Sequence, residues 1–309
     1  MEFKLLKQLT EIPAPSGSEY VIAEFLLKYI KKESKNWVIK PTIYSGDGFA
    51  DTIVLSFGKP KAAIFMHTDT VGYSVGYDNN LIDIGGPAAK KGALLVGEDS
   101  KGKIVGELEQ KEDEYQYVSN HIQFKRKIDR GTTLTYYPLF KETKTSIQSC
   151  YLDNRLGVFK ALELAKTIKN GVICFSTKEE HGGGSVGFLS RFIYETLGVS
   201  KAIIADITWV TEGIHHDKGT VISIRDSGIP RRKFVNEVIE ITKKHKVKHQ
   251  LEVESAGGSD GQHIMRSPYP IDWIFIGTPI KDTHTPHEFV YKSDIKNSIK
   301  LYQVLMEKL

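Results

Sequence analysis

Apolar positions along the chain fall into two textures. Over most of the length, short apolar runs at 52–57, 62–66, 172–175, 202–205 and 273–276 follow one another or alternate with segments of helical period. Residues Ile22, Phe25, Leu26, Tyr29 and Ile30 recur at three- and four-residue intervals, and Ser16-Gly17-Ser18-Glu19 ahead of them has the spacing of a capping box. Further amphipathic helices are predicted over 158–168, 186–197 and 234–243, and a last one over 293–309 with Ser293 as its cap. Buried strands alternating with helices predict an α/β fold, a mostly parallel central sheet flanked by helices. Between residues 76 and 149 the helical period disappears. Glycines and lysines punctuate short alternating pieces at 93–96, 103–108 and 132–137, the pattern of a small inserted β domain. The expected organisation is therefore a catalytic domain of residues 1–75 and 150–309 interrupted by a β domain of 76–149.

Composition adds little to this picture and excludes several alternatives. With 309 residues, 40% hydrophobic and 26% charged, the chain can build a sizeable core without staples. The net charge of +4 and pI of about 8.7 are mild. The short group Lys243, Lys244, Lys246 and Lys248 suits a solvated helix face or loop better than a nucleic-acid groove. No apolar run approaches the roughly 18 residues of a membrane span, and the first residues mix charge with apolar groups. Cys150 and Cys174, the only cysteines, cannot make a disulfide framework. A cytoplasmic protein without nucleic-acid or membrane partners is expected.

Candidate chemistry sits where the apolar runs stop. The run 62–66 leads into His67-Thr68-Asp69, 172–175 into Glu179-Glu180-His181, 202–205 into Asp206, and 273–276 into His284 after a loop. Ligands of open α/β sheets bind outside the carboxyl ends of strands, so these ends could converge on one crevice. Each piece alone has a plain alternative: a charged loop for Glu179-Glu180, a helix cap for Asp206 or Asp153, a loop histidine for His284. Their joint order is much harder to obtain by accident.

In that order the residues resemble metallopeptidase family 42, the glutamyl and tetrahedral aminopeptidases, some of which carry an endoglucanase label. The matching segments are Ile12-Pro13-Ala14-Pro15-Ser16-Gly17-Ser18-Glu19, His67-Thr68-Asp69-Thr70-Val71-Gly72, Leu152-Asp153-Asn154-Arg155-Leu156-Gly157 and Thr177-Lys178-Glu179-Glu180. Asp206-Ile207-Thr208, Gly257-Gly258-Ser259-Asp260 and His284-Thr285-Pro286-His287-Glu288 complete the series. A whole domain between His67 and Asp153 also fits this family, whereas the interval from Asp206 to His284 is too short for the lid of carboxypeptidase and deacylase relatives. Asn154 stands where the family often has a second aspartate, and His181-Gly182-Gly183-Gly184 and Lys281-Asp282-Thr283 depart from its usual pattern. None of these departures removes a ligand.

The resemblance implies an aminopeptidase with two divalent metal ions, zinc with cobalt or manganese as substitutes, acting on peptides and assembling as a homo-oligomer. It implies that Asp153 bridges the ions, since a carboxylate can give one oxygen to each. His67 and Asp206 would hold one ion, Glu180 and His284 the other. Glu179 would be the general base acting on a metal-bridging water, a choice between two adjacent glutamates that only the resemblance makes. Asp69 would support the His67 ring from behind. The Gly257-Gly258-Ser259-Asp260 loop would lie near the site, with Asp260 as a substrate contact. Rival readings are a related metal-dependent amidase, deacylase or carboxypeptidase, a glycoside hydrolase working through paired carboxylates, and a binding protein that kept only the fold. Acids that alternate with histidines favour metal chemistry.

Overall fold

A computed structural model describes residues 2–112, 114–116 and 118–309. Its centre is dictated by strands too apolar to face water on either side. Strand Ala63–His67 lies between Gly171–Ser176 and Lys201–Trp209, parallel to both, and Lys201–Trp209 pairs in parallel with Asp272–Lys281. Ala63–His67 and Gly171–Ser176 are buried at every position. Both faces of such a sheet must be covered by helices, and alternate side chains divide accordingly. Ile64 and Met66 pack with Leu156, Phe159, Ile295 and Leu301 from helices Leu152–Ala165 and Lys292–Lys308. Ala63 and Phe65 pack on the other face with Val186, Leu189 and Ile264. Antiparallel strands extend this parallel centre on both sides, to Thr42–Tyr44 at one edge and to Lys141–Glu142 at the other, in a sheet of eleven strands among the described residues.

The second unit is a closed barrel of the strands Gly72–Val75, Asn80–Ile84, Val118–Gln123, Gly102–Glu112, Leu94–Asp99 and Thr133–Tyr136, in that spatial order. Strand Gly102–Glu112 shows the alternation that makes one face a core: Ile104 and Leu108 point in while Lys103, Val105 and Glu107 point out. The barrel core of Tyr73, Leu95, Leu134 and Tyr136 also takes in Cys150 and Tyr151, which join it to the helix that follows.

Several boundaries differ from those the sequence predicts. The barrel begins at Gly72 rather than 76, because Tyr73 and Val75 turn their side chains into its core. Strand Ser146–Ser149 and its neighbour Lys141–Glu142 belong to the large sheet instead of the insert, with Ile147 in the main core. The capping box does not form. Helix Tyr20–Glu33 begins at a Glu19 of helical conformation, the Ser16 hydroxyl is drawn to the buried carboxylate of Asp69 at 2.6 Å, and Glu19 accepts from Gly17 and Lys178. Ser293 does not cap the last helix either. That helix starts at Lys292, Ser293 donates to Asp217, and Asp294 accepts from the backbone of Asp217 and Gly219. The helix predicted from 158 begins at Leu152, and the one over 186–197 is α-helical only to Arg191 before a π-turn over Phe192–Thr196.

Phe159 is fully buried and its ring lies 5.6 Å from that of Phe3, joining the first helix to the one that carries Asp153. Phe159→Ala is expected to lower the unfolding free energy by about 3–5 kcal/mol in urea denaturation. A loss under 1 kcal/mol would show that this contact does not hold the two helices together.

Candidate metal centre

The crevice opens where the strands part. Lys201–Trp209 pairs with Ala63–His67 only as far as Ile204 opposite Phe65, and continues beside Asp272–Lys281. Asp206, predicted at a strand end, therefore lies inside its strand but two residues past the point where its other neighbour drops away. His67 ends its own strand. Asp153 enters from the start of helix Leu152–Ala165, whose approach is close because Gly157 has no side chain. A Cβ there would sit 2.7 Å from the carbonyl of Ala205. Asn154 fastens this approach by donating to that carbonyl at 3.0 Å and accepting from Gly157 at 2.8 Å. An aspartate has no proton to give that carbonyl at neutral pH, which is a physical reason for the amide here.

Three turns that deliver site residues carry a left-handed residue other than glycine: Tyr151 before Leu152-Asp153, Lys178 before Glu179, and His284 itself. Such conformations cost on the order of 1–3 kcal/mol and persist where surroundings fix them. For His284 the fixing groups are visible. Its amide donates to Glu288 at 2.7 Å, and its carbonyl accepts from the Tyr136 hydroxyl at 2.8 Å and the Ala88 amide at 2.9 Å. Glu288 also accepts from the Asp153 amide at 3.1 Å, so one buried carboxylate ties two site segments together.

The structure brings the five expected ligands into two groups that share Asp153: His67, Asp153 and Asp206 in one, Asp153, Glu180 and His284 in the other. Oδ1 of Asp153 stands 3.2 Å from His67 Nε2, and Oδ2 stands 3.3 Å from His284 Nε2. Asp206 Oδ2 is 3.6 Å from His67 Nε2, and Glu180 Oε2 is 3.0 Å from His284 Nε2. Glu179 reaches to 4.0 Å from His67 and is left out of both groups. Asp69 lies behind, fully buried, and its carboxylate accepts from the amides of Glu179 and Glu180 at 3.1 Å each and from Ser16. It stands 3.6 Å from His67 Nδ1, whereas the closer partner of that nitrogen is the Asp69 carbonyl at 3.2 Å. Asp260 is the expected site residue that the structure keeps off the crevice wall. It is buried beneath the site with Ser176 donating to it at 2.5 Å, because it opens a helix that packs on the sheet.

Whether divalent ions suit this donor set can be judged from its protons. Nδ1 of His67 faces a backbone carbonyl, and Nδ1 of His284 faces the carbonyl of Gly86 at 3.0 Å. A ring that donates through Nδ1 presents a lone pair at Nε2. Each lone pair then confronts carboxylate oxygens, an arrangement that needs a cation between. The buried Oε1 of Glu180 has no hydrogen-bond partner among the described residues. The titration tendencies agree. Burial pushes Glu179 well above the usual carboxylate range and Glu180 up to about 7. Burial alone would lower the affinity of His67 and His284 for protons. The facing carboxylates, Asp206 first for His67 and Asp153 first for His284, reverse this and carry His284 up to about 12. Asp153 moves the other way, below its ordinary value, since the two histidines outweigh its burial. A site that draws protons in this manner fits bound positive charge.

Some participants carry no signal in the sequence. Lys160 is buried behind Asp206 and donates to Thr278 at 2.7 Å, to Tyr302 at 3.1 Å and to the Asp206 carbonyl at 3.3 Å, its ammonium driven down to about 7 by burial. Gly86 belongs to the barrel side and acts through its backbone. Glu288 lies in the His284 segment, and only its two hydrogen bonds reveal its part. His181 accepts from the Gly85 amide at 3.1 Å, a tie to the same barrel loop. His216 packs against Phe289 and Tyr291 and belongs to neither ligand group. No helix among the described residues is long and apolar enough to cross a membrane.

Comparison with known proteins places the fold and the family. The M42 glutamyl aminopeptidase family model matches residues 117–301. A candidate aminopeptidase of Acetivibrio thermocellus is 26% identical, over 97% of this chain and 96% of its own. Among solved structures, the aminopeptidase APDkam598 of the archaeon Desulfurococcus kamchatkensis superposes with a TM-score of 0.84 at 20% identity, covering 99% of this chain and 94% of that one. The TET1 peptidase of Pyrococcus horikoshii gives 0.81 at 20% identity, covering 99% of both.

If Asp153 serves both groups, Asp153→Ala is expected to weaken binding of divalent zinc at both together, by at least about tenfold each, in isothermal titration of the metal-stripped protein. Retention of one site at its original affinity would contradict a shared ligand.

Proposed function

The chain belongs to the M42 glutamyl aminopeptidase family, and from that premise we propose that it is a two-metal aminopeptidase that removes N-terminal residues from peptides. The single observation that supports this most is the Asp153 carboxylate, each of whose oxygens faces a different histidine at 3.2 and 3.3 Å. In this reading His67 and Asp206 hold one ion, Glu180 and His284 the other, and Asp153 takes part in both. Imidazole and carboxylate donors suit zinc, and cobalt or manganese also fit. When bound, the ions supply Lewis acidity that acidifies water and polarises the scissile carbonyl.

The remaining work falls to the chain itself. Glu179 lies beside the ligand groups without belonging to them, so its carboxylate is free to take a proton from the attacking water and deliver it to the departing amine. Burial raises its proton affinity, which suits a base that must also act as an acid. Asp69 fixes both glutamates by holding their amides on one carboxylate, so that one side chain turns to the histidines while its neighbour stays at hand. The crevice, about 280 Å³, is small for a binding pocket and lined by acids. That suits a terminal residue with a free α-ammonium better than the middle of a chain.

The Pyrococcus TET1 peptidase assembles into a tetrahedron or a large octahedral shell, which supports reading this chain as a homo-oligomer. Its free, buried cysteines Cys150 and Cys174 suit a reducing, cytoplasmic setting.

Glu179→Gln is expected to keep metal content while lowering kcat on aminoacyl amides by about 10²–10⁴-fold. Turnover within a few-fold of the parent would remove Glu179 from the role of base. Chelation is expected to abolish hydrolysis and added zinc or cobalt to restore it. Activity on a glycoside that survives chelation would instead favour paired-carboxylate chemistry.

A further inference from the structure

Beyond the ligand groups, the crevice wall carries a second set of acids that neither ligates nor belongs to the turn of Glu179. Asp226, Glu252 and Glu254 line it beside Trp209 and Gly257, and among the described residues neither lysine nor arginine does. Glu252 is 4% exposed and Asp226 6%. Each has one carboxylate oxygen satisfied: Thr208 donates to Glu252 Oε1, and the Gly228 amide to Asp226 Oδ1. Ser223 stands beside Glu252 as a second side-chain partner, Asp226 takes backbone donors alone, and no lysine or arginine among the described residues donates to either carboxylate. Arg225, next in the chain, gives its Nε to the backbone carbonyl of Asp226 at 3.2 Å and stays out of the lining.

Carboxylates more than nine-tenths buried, set close to one another and without a cationic donor, favour the arrival of positive charge. A bare metal ion does not suit these three. The groups of side chains close enough to share one ion are the two ligand groups and no others among the described residues. What suits them is a cation on a long stem. Asp206 and Thr208 point to the same face of one strand, about 7 Å apart by strand geometry, and Thr208 holds Glu252. The acids therefore begin roughly one side-chain length from the expected reaction centre. Trp209, 46% exposed, offers the crevice an indole along which methylenes can lie and over which a cation is attracted. Gly257 lies against that ring, where a Cβ would already be in van der Waals contact at 3.8 Å.

We propose that Asp226, Glu252 and Trp209 form the subsite for the side chain of the substrate's N-terminal residue, and that this subsite selects lysine or arginine. The inference rests on the aminopeptidase reading above and gives it a substrate class. A glutamyl or aspartyl residue would bring one more carboxylate against Asp226, Glu252 and Glu254, in a place where screening by water is weakest. The glutamyl preference in the family's description is therefore not expected of this chain.

The test compares kcat/KM of the zinc-loaded enzyme on lysyl, arginyl, leucyl and glutamyl chromogenic amides, alongside binding of lysinamide and leucinamide by calorimetry. Lysyl and arginyl substrates are expected to exceed leucyl by about tenfold or more and glutamyl by more still. Glu252→Gln, which keeps an acceptor for Thr208, and Asp226→Asn are each expected to reduce the lysyl-to-leucyl ratio about tenfold, in kcat/KM and in binding. Preference for leucyl or glutamyl in the parent, or an unchanged ratio in both variants, overturns the subsite. If no aminoacyl amide is hydrolysed, the aminopeptidase reading fails, and the lysinamide-to-leucinamide binding ratio still decides what the wall recognises. Unchanged melting temperatures identify variants in which the ratio can be read.

Discussion

The two oxygens of one aspartate, set between two imidazole nitrogens at 3.2 and 3.3 Å, impose the constraint that organises this molecule. Buried carboxylates repel one another and lose hydration. Histidines whose Nδ1 atoms are committed to backbone carbonyls cannot quench that charge through Nε2 unless something positive joins them. The fold answers with a scaffold that cannot relax away from the strain. The left-handed turn at His284 is held by Glu288, Tyr136 and Ala88 and that at Lys178 by Glu19, and Asp69 and Glu288 fasten pairs of site segments with single carboxylates. Positive charge is thereby demanded by the packing itself.

The same logic separates the acids by surroundings. Asp69 is satisfied by three donors and serves as a structural anchor. Glu180 and Asp206 face histidines. Glu252 and Asp226 lie close together at a crevice wall that no lysine or arginine lines among the described residues, so positive charge there has to arrive from outside. Like residues thus acquire different work from the donors around them.

Much of the candidate ligand set was legible because a buried strand has to be apolar until it leaves the sheet. The first candidate ligand after such a run, His67 after 62–66 or Asp206 after 202–205, is therefore marked by contrast with what precedes it. Ordering these marks narrowed the family. What stayed hidden has no local contrast. Gly86 contributes a carbonyl, a group every residue has. Glu288 and Lys160 act through contacts across more than 100 and 40 residues of chain, respectively. Ser16 has the spacing of a helix cap, and only the burial of Asp69 explains why its hydroxyl goes elsewhere. The limit of the insert was misplaced because Tyr73 and Val75 read as a continuation of the preceding segment, while Ile147 reads like the alternating pieces before it.

The hold on His284 extends past the large sheet. The groups that orient its ring and close its carbonyl are Gly86, Ala88 and the hydroxyl of Tyr136, all supplied from the barrel and its loops. The barrel is consequently no detachable ornament on a complete catalytic core. A chain trimmed of it would lose the brace of His284, the packing of Tyr151 ahead of Asp153 and the tie between Gly85 and His181 beside Glu180, so three of the five candidate ligands lean on the seam between the two units.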